Sequence, residues 1–188
     1  MKRVFIIHGW DFSPEQHWYP WLKEELEKKG FIVQVPEMPD SAEPKIAQWV
    51  SMLAKCVGTP DKDTFFVGHS IGCPTILKYL ESVNQGVGGA VFVAGWFTLQ
   101  NLETPEIEAI AKPWVEMQID FTKVKKTTQK FVAFFSDNDP FVSLSNARQF
   151  EERLGARTMV EKNKGHYTME TKISEVPAVL QALLDMAK

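Results

Sequence analysis

The sequence predicts an α/β fold in which a parallel sheet of about six strands is covered by helices on both faces. Short runs rich in Val, Ile and Phe alternate along the chain with longer segments of helical periodicity. These runs are almost continuously apolar, which is typical of parallel strands that are buried on both faces. No linker or repeat divides the 188 residues, so we expect one domain over residues 1–188.

The apolar runs place the predicted strands at residues 3–8, 31–35, 64–68, 89–95, 130–136 and 157–161, of which the last is the weakest. Helical periodicity between them predicts helices near residues 15–29, 43–57, 71–83, 143–154 and 175–187. Residues 96–129 are the least regular stretch, because they contain Pro105, Pro113 and scattered aromatic residues. We expect this stretch to form an irregular cap over the functional site.

The charge balance argues against two classes of partner. The chain has 21 basic and 24 acidic side chains, a net charge of −3, which gives no electrostatic case for nucleic acid or an anionic membrane. The lysine-rich stretch 122–130 is interpreted as the solvated face of a helix. No apolar run approaches the roughly 18 residues that a membrane helix needs, so we expect a soluble protein.

The two cysteines, Cys56 and Cys73, are too few for a disulfide framework. They show no metal-ligand spacing with histidine. We therefore expect reduced thiols, a cytoplasmic location and no metal. The composition leaves the oligomeric state open.

Ser70 lies between Gly68 and Gly72 in a Gly-x-Ser-x-Gly pattern that follows a predicted strand and precedes a predicted helix. In this pattern the chain turns sharply and presents the serine hydroxyl as a nucleophile. Glycine is expected on both sides because the turn brings those two backbone positions too close together for side chains. A helix-cap serine is the alternative interpretation of Ser70.

Candidate acids and a candidate base follow Ser70 at the ends of two later strands. Asp137 and Asp139 follow the fifth strand, and His166 follows the sixth in the stretch KNKGHYT. Ligands bind at the carboxyl ends of parallel strands, and the order serine, aspartate, histidine is that of the α/β-hydrolase triad. In such a triad the imidazole takes the proton of the serine, and the carboxylate holds the imidazole in the correct tautomer.

Asp139 is favoured over Asp137 as the acid, because Pro140 restricts its backbone to extended angles and helps to orient the carboxylate. Asp137, next to Asn138, fits a turn residue that hydrogen-bonds its own backbone. The weaker alternatives for the base are His8, His17 and His69.

The first strand ends in HGWDF, where a tight turn would aim the backbone N–H of Trp10 at the oxyanion that develops above Ser70. The second donor would be the N–H of Ile71, at a helix N-terminus whose dipole favours negative charge. Trp10, Trp96 and Phe141 follow the ends of three different strands. We therefore expect them to line a substrate pocket, although most aromatic side chains are part of a core.

The motifs IIHGW, HWYPWL, VPEMPD, GHSIGCP and DNDPFV, with the late GH, resemble the small serine hydrolase family that contains retinoblastoma-binding protein 9 and its bacterial relatives. The similarity spans nearly the whole chain. It implies a reduced α/β-hydrolase with Ser70 as nucleophile, Asp139 as acid and His166 as base, active on small esters. At the end of the first strand, HGW resembles the bacterial members.

We therefore expect a carboxylesterase-like serine hydrolase that cleaves short-acyl esters through an acyl-serine intermediate, without a cofactor. Thioesterase, amidase and small-peptidase chemistry use the same triad and stay open as alternatives. A hydrolase-shaped protein-binding module with little physiological turnover is the alternative from another class. A nucleotide-binding domain is disfavoured, because no glycine-rich phosphate loop follows the first strand.

Overall fold

The chain forms six β-strands and seven α-helices in a computed structural model that describes residues 1–188. The strands are β1 (Arg3–Ile7), β2 (Ile32–Gln34), β3 (Thr64–His69), β4 (Gly89–Val93), β5 (Phe131–Ser136) and β6 (Arg157–Glu161). The helices are α1 (Tyr19–Glu27), α2 (Ile46–Val57), α3 (Gly72–Ser82), α4 (Pro105–Val115), α5 (Phe121–Thr127), α6 (Ser145–Leu154) and α7 (Pro177–Met186). No helix has the length and apolar character that crossing a bilayer requires.

All six strands are parallel and lie in the order β2-β1-β3-β4-β5-β6. The predicted parallel sheet is therefore confirmed. Five predicted helices are also present, each shorter than its apolar pattern suggested. The first begins only at Tyr19, because His17 has a φ of +55°, a left-handed conformation that an α-helix does not accommodate.

Alternate strand residues supply two apolar cores, one on each face of the sheet. In β1, Val4 and Ile6 join the core that α1 and α7 cover. Phe5 and Ile7 join the opposite core, which is covered by α2, α3, α4, α5 and α6. This arrangement explains the continuously apolar strands, because a strand with helices on both faces has no solvent-facing side.

The prediction that residues 96–129 are irregular is wrong, because this stretch contains α4 and α5. Pro105 occupies the first turn of α4, where its missing N–H needs no partner. The Thr104 hydroxyl caps the same helix by accepting a hydrogen bond from the N–H of Ile107. Asp120 caps α5 by accepting from the N–H groups of the second and third residues that follow it. The lysines of α5 are exposed, as the sequence predicts.

Candidate active site

Ser70 lies immediately after β3, in a strained turn that leads into α3. Its φ is +51°, a left-handed value that costs a non-glycine residue roughly 1–3 kcal/mol. The surrounding structure maintains this conformation, since the N–H of Ser70 donates to the carbonyl of Val93 at the end of β4 over 2.9 Å. The turn therefore presents the hydroxyl at the carboxyl edge of the sheet.

Gly68 and Gly72 are both required, for different reasons. A Cβ on Gly68 would lie 2.9 Å from the backbone of Gly72 and of Cys73, which is the close approach across the turn that the sequence suggests. A Cβ on Gly72 would instead collide with the carbonyl oxygen of Ile7 in β1. The second glycine therefore allows α3 to begin directly against the neighbouring strand.

Asp139 and His166 form a buried hydrogen-bonded pair beside this turn. Oδ2 of Asp139 lies 2.8 Å from Nδ1 of His166. Oδ1 of the same carboxylate accepts from the backbone N–H groups of Phe141 and Val142 over 2.9 and 3.0 Å. With Nδ1–H donated to the carboxylate, the other ring nitrogen, Nε2, is left with a free lone pair.

The residues before Asp139 anchor the loop that carries His166. Asp137 accepts a hydrogen bond from the N–H of Asn163 over 2.8 Å, so the prediction that it bonds its own turn is wrong. Asn138 accepts from the N–H of Gly165 over 2.8 Å. Sequence reasoning missed this role of Asn138, although three consecutive polar residues at a strand end were a visible signal.

The Ser70 hydroxyl and His166 line one cavity without forming a hydrogen bond to each other. The partner of Ser70 Oγ is the indole Nε1–H of Trp96, which donates over 3.4 Å. Such a long contact is weak. The nucleophile–base bond of a hydrolase is often absent or long without substrate.

The backbone N–H groups of Trp10 and Ile71, near Ser70, have no acceptor within the protein. The carbonyl of the Gly9–Trp10 peptide is held by a hydrogen bond, since Nδ1–H of His8 donates to the Gly9 oxygen over 2.8 Å. This bond also orients the Trp10 N–H, which belongs to the same planar peptide unit. Nε2 of His8 accepts from the N–H of Met38 over 3.0 Å. Burial lowers the pKa of His8, which favours the neutral ring that this pair of bonds requires.

The remaining candidate nucleophile and bases are engaged elsewhere. Cys73 is fully buried, its thiol donates to the carbonyl of Val93, and burial raises its pKa. Nδ1 of His17 accepts from the N–H of Met169 over 3.0 Å. His69 is fully buried, and both of its ring nitrogens are hydrogen-bonded to protein atoms. No group of three or more His, Cys, Asp or Glu side chains forms a metal-ligating cluster.

The cavity in front of Ser70 has a volume of about 380 Å³ and is mainly apolar. The three aromatic residues expected at the pocket, Trp10, Trp96 and Phe141, all line it. Sequence reasoning missed the part of the apolar wall that comes from the segment before α4 and from α4 itself: Leu99, Leu102, Ile107 and Ile110. Phe12 and Ala42 complete the apolar lining. Asp11 and Glu103 are the carboxylates among its lining residues.

Known proteins resemble the chain over almost its whole length. A family model described as serine hydrolase matches residues 4–185. The hydrolase YdeN of Bacillus subtilis is 28% identical over 188 residues, which cover 97% of this chain and 94% of YdeN. The serine hydrolase RBBP9 of Rattus norvegicus is 24% identical over 172 residues, which cover 90% of this chain and 88% of RBBP9.

Solved structures agree with this relationship. The crystal structure of the ydeN gene product superimposes with a TM-score of 0.90 at 26% identity, covering 99% of this chain and 98% of that one. Est1E from Butyrivibrio proteoclasticus gives a TM-score of 0.73 at 13% identity, covering 98% and 88%, and this likeness concerns the fold alone. Since the family match and the fold agree along the chain, the protein is an α/β-hydrolase that belongs to the serine hydrolase family.

Proposed function

We propose that this serine hydrolase cleaves short-acyl carboxylic esters with Ser70 as nucleophile, His166 as general base and acid, and Asp139 as the orienting carboxylate. The observation that carries the proposal is the buried Asp139–His166 pair, at 2.8 Å, beside a serine in a strained strand-to-helix turn. A strained serine and an imidazole at one cavity, with a carboxylate bonded to that imidazole, match the requirements of nucleophilic acyl transfer.

The reaction would proceed in two balanced steps. Nε2 of His166 takes the proton of Ser70 as Oγ attacks the ester carbonyl, and the protonated imidazole then gives that proton to the departing alcohol. A water molecule next loses a proton to His166 and attacks the acyl-serine. The carboxylic acid leaves as the proton returns to Ser70. Asp139 keeps Nδ1 of His166 protonated and stabilises the imidazolium that forms in each step.

The backbone N–H groups of Trp10 and Ile71 would stabilise the oxyanion. Both are without an internal acceptor, and Ile71 directly precedes α3, so the helix dipole adds to its effect. Removing one such donor typically costs about 3–4 kcal/mol of barrier stabilisation. His8 supports this role indirectly, because its bond to the Gly9 carbonyl orients the peptide that carries the Trp10 N–H.

The contact between Ser70 and Trp96 is compatible with this mechanism. Oγ accepts a weak bond from the indole at 3.4 Å. The same hydroxyl keeps its own proton, which it can donate to Nε2 of His166.

The cavity favours small, apolar acyl groups. Its volume of about 380 Å³ lies near the lower end of the roughly 300–1,000 Å³ that ligand pockets span. The segment before α4 and α4 itself supply four apolar residues to its wall, and these narrow the space for a long acyl chain.

The two free cysteines suit the reducing cytoplasm, which we propose as the location of the protein.

Rapid-mixing kinetics with p-nitrophenyl butyrate test the proposal. An acyl-serine mechanism predicts a burst of about one p-nitrophenolate per enzyme when deacylation is slower, and no turnover in Ser70→Ala. Ser51→Ala, on the exposed face of α2, is the matched control and should behave as wild type. Parallel assays with the thioester and the anilide decide between esterase, thioesterase and amidase activity. Folded wild-type protein without turnover on any of them would favour a protein-binding module.

A further inference from the structure

We propose that Tyr19 and His69 are positioning residues that join the oxyanion loop to the loop carrying His166, so that the two halves of the catalytic site keep one geometry. The inference rests on the proposed function of Ser70 and His166. It gives a role to two buried polar side chains that take part in no step of acyl transfer.

A continuous chain of hydrogen bonds carries the proposal. The N–H of Gly9, next to the proposed oxyanion donor, donates to the Tyr19 hydroxyl over 3.1 Å. The same hydroxyl lies 2.6 Å from Nδ1 of His69. Nε2 of His69 lies 2.8 Å from the backbone carbonyl of His166. Residues at opposite ends of the chain are thus joined through two side chains.

The direction of each bond follows from the chemistry of its end groups. The Gly9 N–H can only donate, so the Tyr19 oxygen accepts from it and gives its own proton to Nδ1 of His69. The His166 carbonyl can only accept, so Nε2 of His69 carries the hydrogen. These constraints fix His69 as the neutral Nε2–H tautomer.

The surroundings keep these hydrogen-bonded groups uncharged and inaccessible to water. Tyr19 and His69 are fully buried. Burial holds the pKa of His69 well below its usual value, and the nearby His166 lowers it further. Burial likewise raises the pKa of the Tyr19 hydroxyl. Because no buried member can exchange its partner for water, loss of one bond leaves unpaired polar groups at both loops.

Catalysis should be sensitive to these bonds because acyl transfer depends on small displacements. A shift of about 1 Å at a reacting group can cost about a hundredfold in rate. The His69 bond holds the backbone of His166 itself, while the Tyr19 bond holds the peptide that precedes the Trp10 N–H. Loosening both would change the distance between base, nucleophile and oxyanion donors.

Tyr19→Phe is the primary variant, since it removes one oxygen and keeps the ring in its core. The fold should survive, because the Trp18 indole still donates to the Tyr167 carbonyl over 3.1 Å and retains the His166 loop. We expect kcat on p-nitrophenyl butyrate to fall about 10- to 100-fold, with KM changed less than threefold. Tyr79→Phe removes a hydroxyl that has no hydrogen-bond partner in the protein and should leave both constants unchanged.

Two substitutions of His69 separate its two bonds. His69→Gln places an amide nitrogen near the position of Nε2 and can still donate to the His166 carbonyl. His69→Asn reaches only to the position of Nδ1 and loses that donor. We expect His69→Gln to retain at least tenfold more kcat than His69→Asn. Adding Tyr19→Phe to His69→Asn should cost far less than the product of the separate losses, because both break one chain.

Nitrogen-15 NMR of histidine-labelled protein supplies a readout that does not depend on activity. In the wild type, His69 should show a protonated Nε2 and an unprotonated Nδ1, and the Nδ1 resonance should move in Tyr19→Phe. Three outcomes would each overturn this proposal without touching the proposed function. They are wild-type kcat in a folded Tyr19→Phe variant, equal kcat in His69→Gln and His69→Asn, and a protonated Nδ1 on His69 in the wild type. Absence of turnover in the wild type would overturn the proposed function.

Discussion

Asp139 binds His166 with one carboxylate oxygen while two backbone N–H groups hold the other. Oδ2 is 2.8 Å from the imidazole Nδ1, and Oδ1 accepts from Phe141 and Val142. The carboxylate is therefore unable to rotate without breaking bonds of its own loop. It presents a pure acceptor to His166, which determines the tautomer of the ring.

Replacing Asp139 by Asn should lower kcat by up to about 10⁴-fold with little change in fold. The amide oxygen should stay with the two backbone N–H groups, so the amide NH₂ turns towards His166. The imidazole must then accept at Nδ1 and carry its proton on Nε2, where it no longer acts as a base. The measurement is kcat on one ester, together with circular dichroism of the variant.

Asp137→Asn is the matched control for this prediction. The Asp137 carboxylate accepts a hydrogen bond from the N–H of Asn163. An amide oxygen can accept the same bond, so kcat should fall tenfold or less. A larger loss at Asp137 than at Asp139 would mean that the acid is assigned to the wrong residue.

The sequence was sufficient to predict the parallel sheet. It was also sufficient to predict that Ser70, Asp139 and His166 lie at the same edge of that sheet. Both follow from local rules. Continuous apolar runs indicate strands that are covered on both faces, and parallel strands end at the same edge. A strand-to-helix turn with Gly68 and Gly72 adds a backbone requirement that few other structures share.

The sequence did not reveal the Tyr19–His69 chain or the partner of Asp137, because both contacts join residues far apart in the chain. Tyr19 lies in the predicted helix 15–29, for which no role of single residues is predicted, and His69 is considered only as a weaker alternative for the base. Helix α4 was missed because Pro105 and Pro113 were interpreted as irregularity. Pro105 is at the first turn, where proline favours a helix start.

Gly72→Ala should destabilise the protein, although alanine usually favours a helix over glycine. The new Cβ would collide with the Ile7 carbonyl in β1, so α3 or the strand must shift. Overpacking of this kind costs roughly 1–3 kcal/mol of unfolding free energy, measurable as a lower midpoint in urea. Gly86→Ala is the control, because its Cβ would meet nothing closer than 3.7 Å. Equal midpoints for the two variants would contradict the packing argument.

Acyl-chain length should reveal the size of the cavity. Each methylene that fits into the apolar pocket contributes about 0.8 kcal/mol, and chains longer than the cavity gain nothing further. We expect a higher kcat/KM for p-nitrophenyl acetate or butyrate than for the dodecanoate. A preference for the dodecanoate would show that the wall formed by Ile107 and Ile110 opens to a larger site.

Substrate charge should also matter. Asp11 and Glu103 line the cavity, and no lysine or arginine does. Since an exposed charge pair is worth about 0.2–1 kcal/mol, an ester with a carboxylate on its acyl chain should have a several-fold lower kcat/KM than a neutral ester of equal length. The difference should shrink in Asp11→Asn/Glu103→Gln and at high salt. If the difference in kcat/KM between the two esters is unchanged in that variant, groups other than Asp11 and Glu103 cause it.

The most direct test of the central claim is to label the folded protein with a fluorophosphonate probe and to map the adduct by mass spectrometry. The probe reacts with a serine only where a neighbouring base and oxyanion donors activate it. We predict a single adduct on Ser70, lost in Ser70→Ala and strongly slowed in Asp139→Asn. An adduct on Cys73, or none on folded wild-type protein, would contradict the assignment of Ser70 as an activated nucleophile.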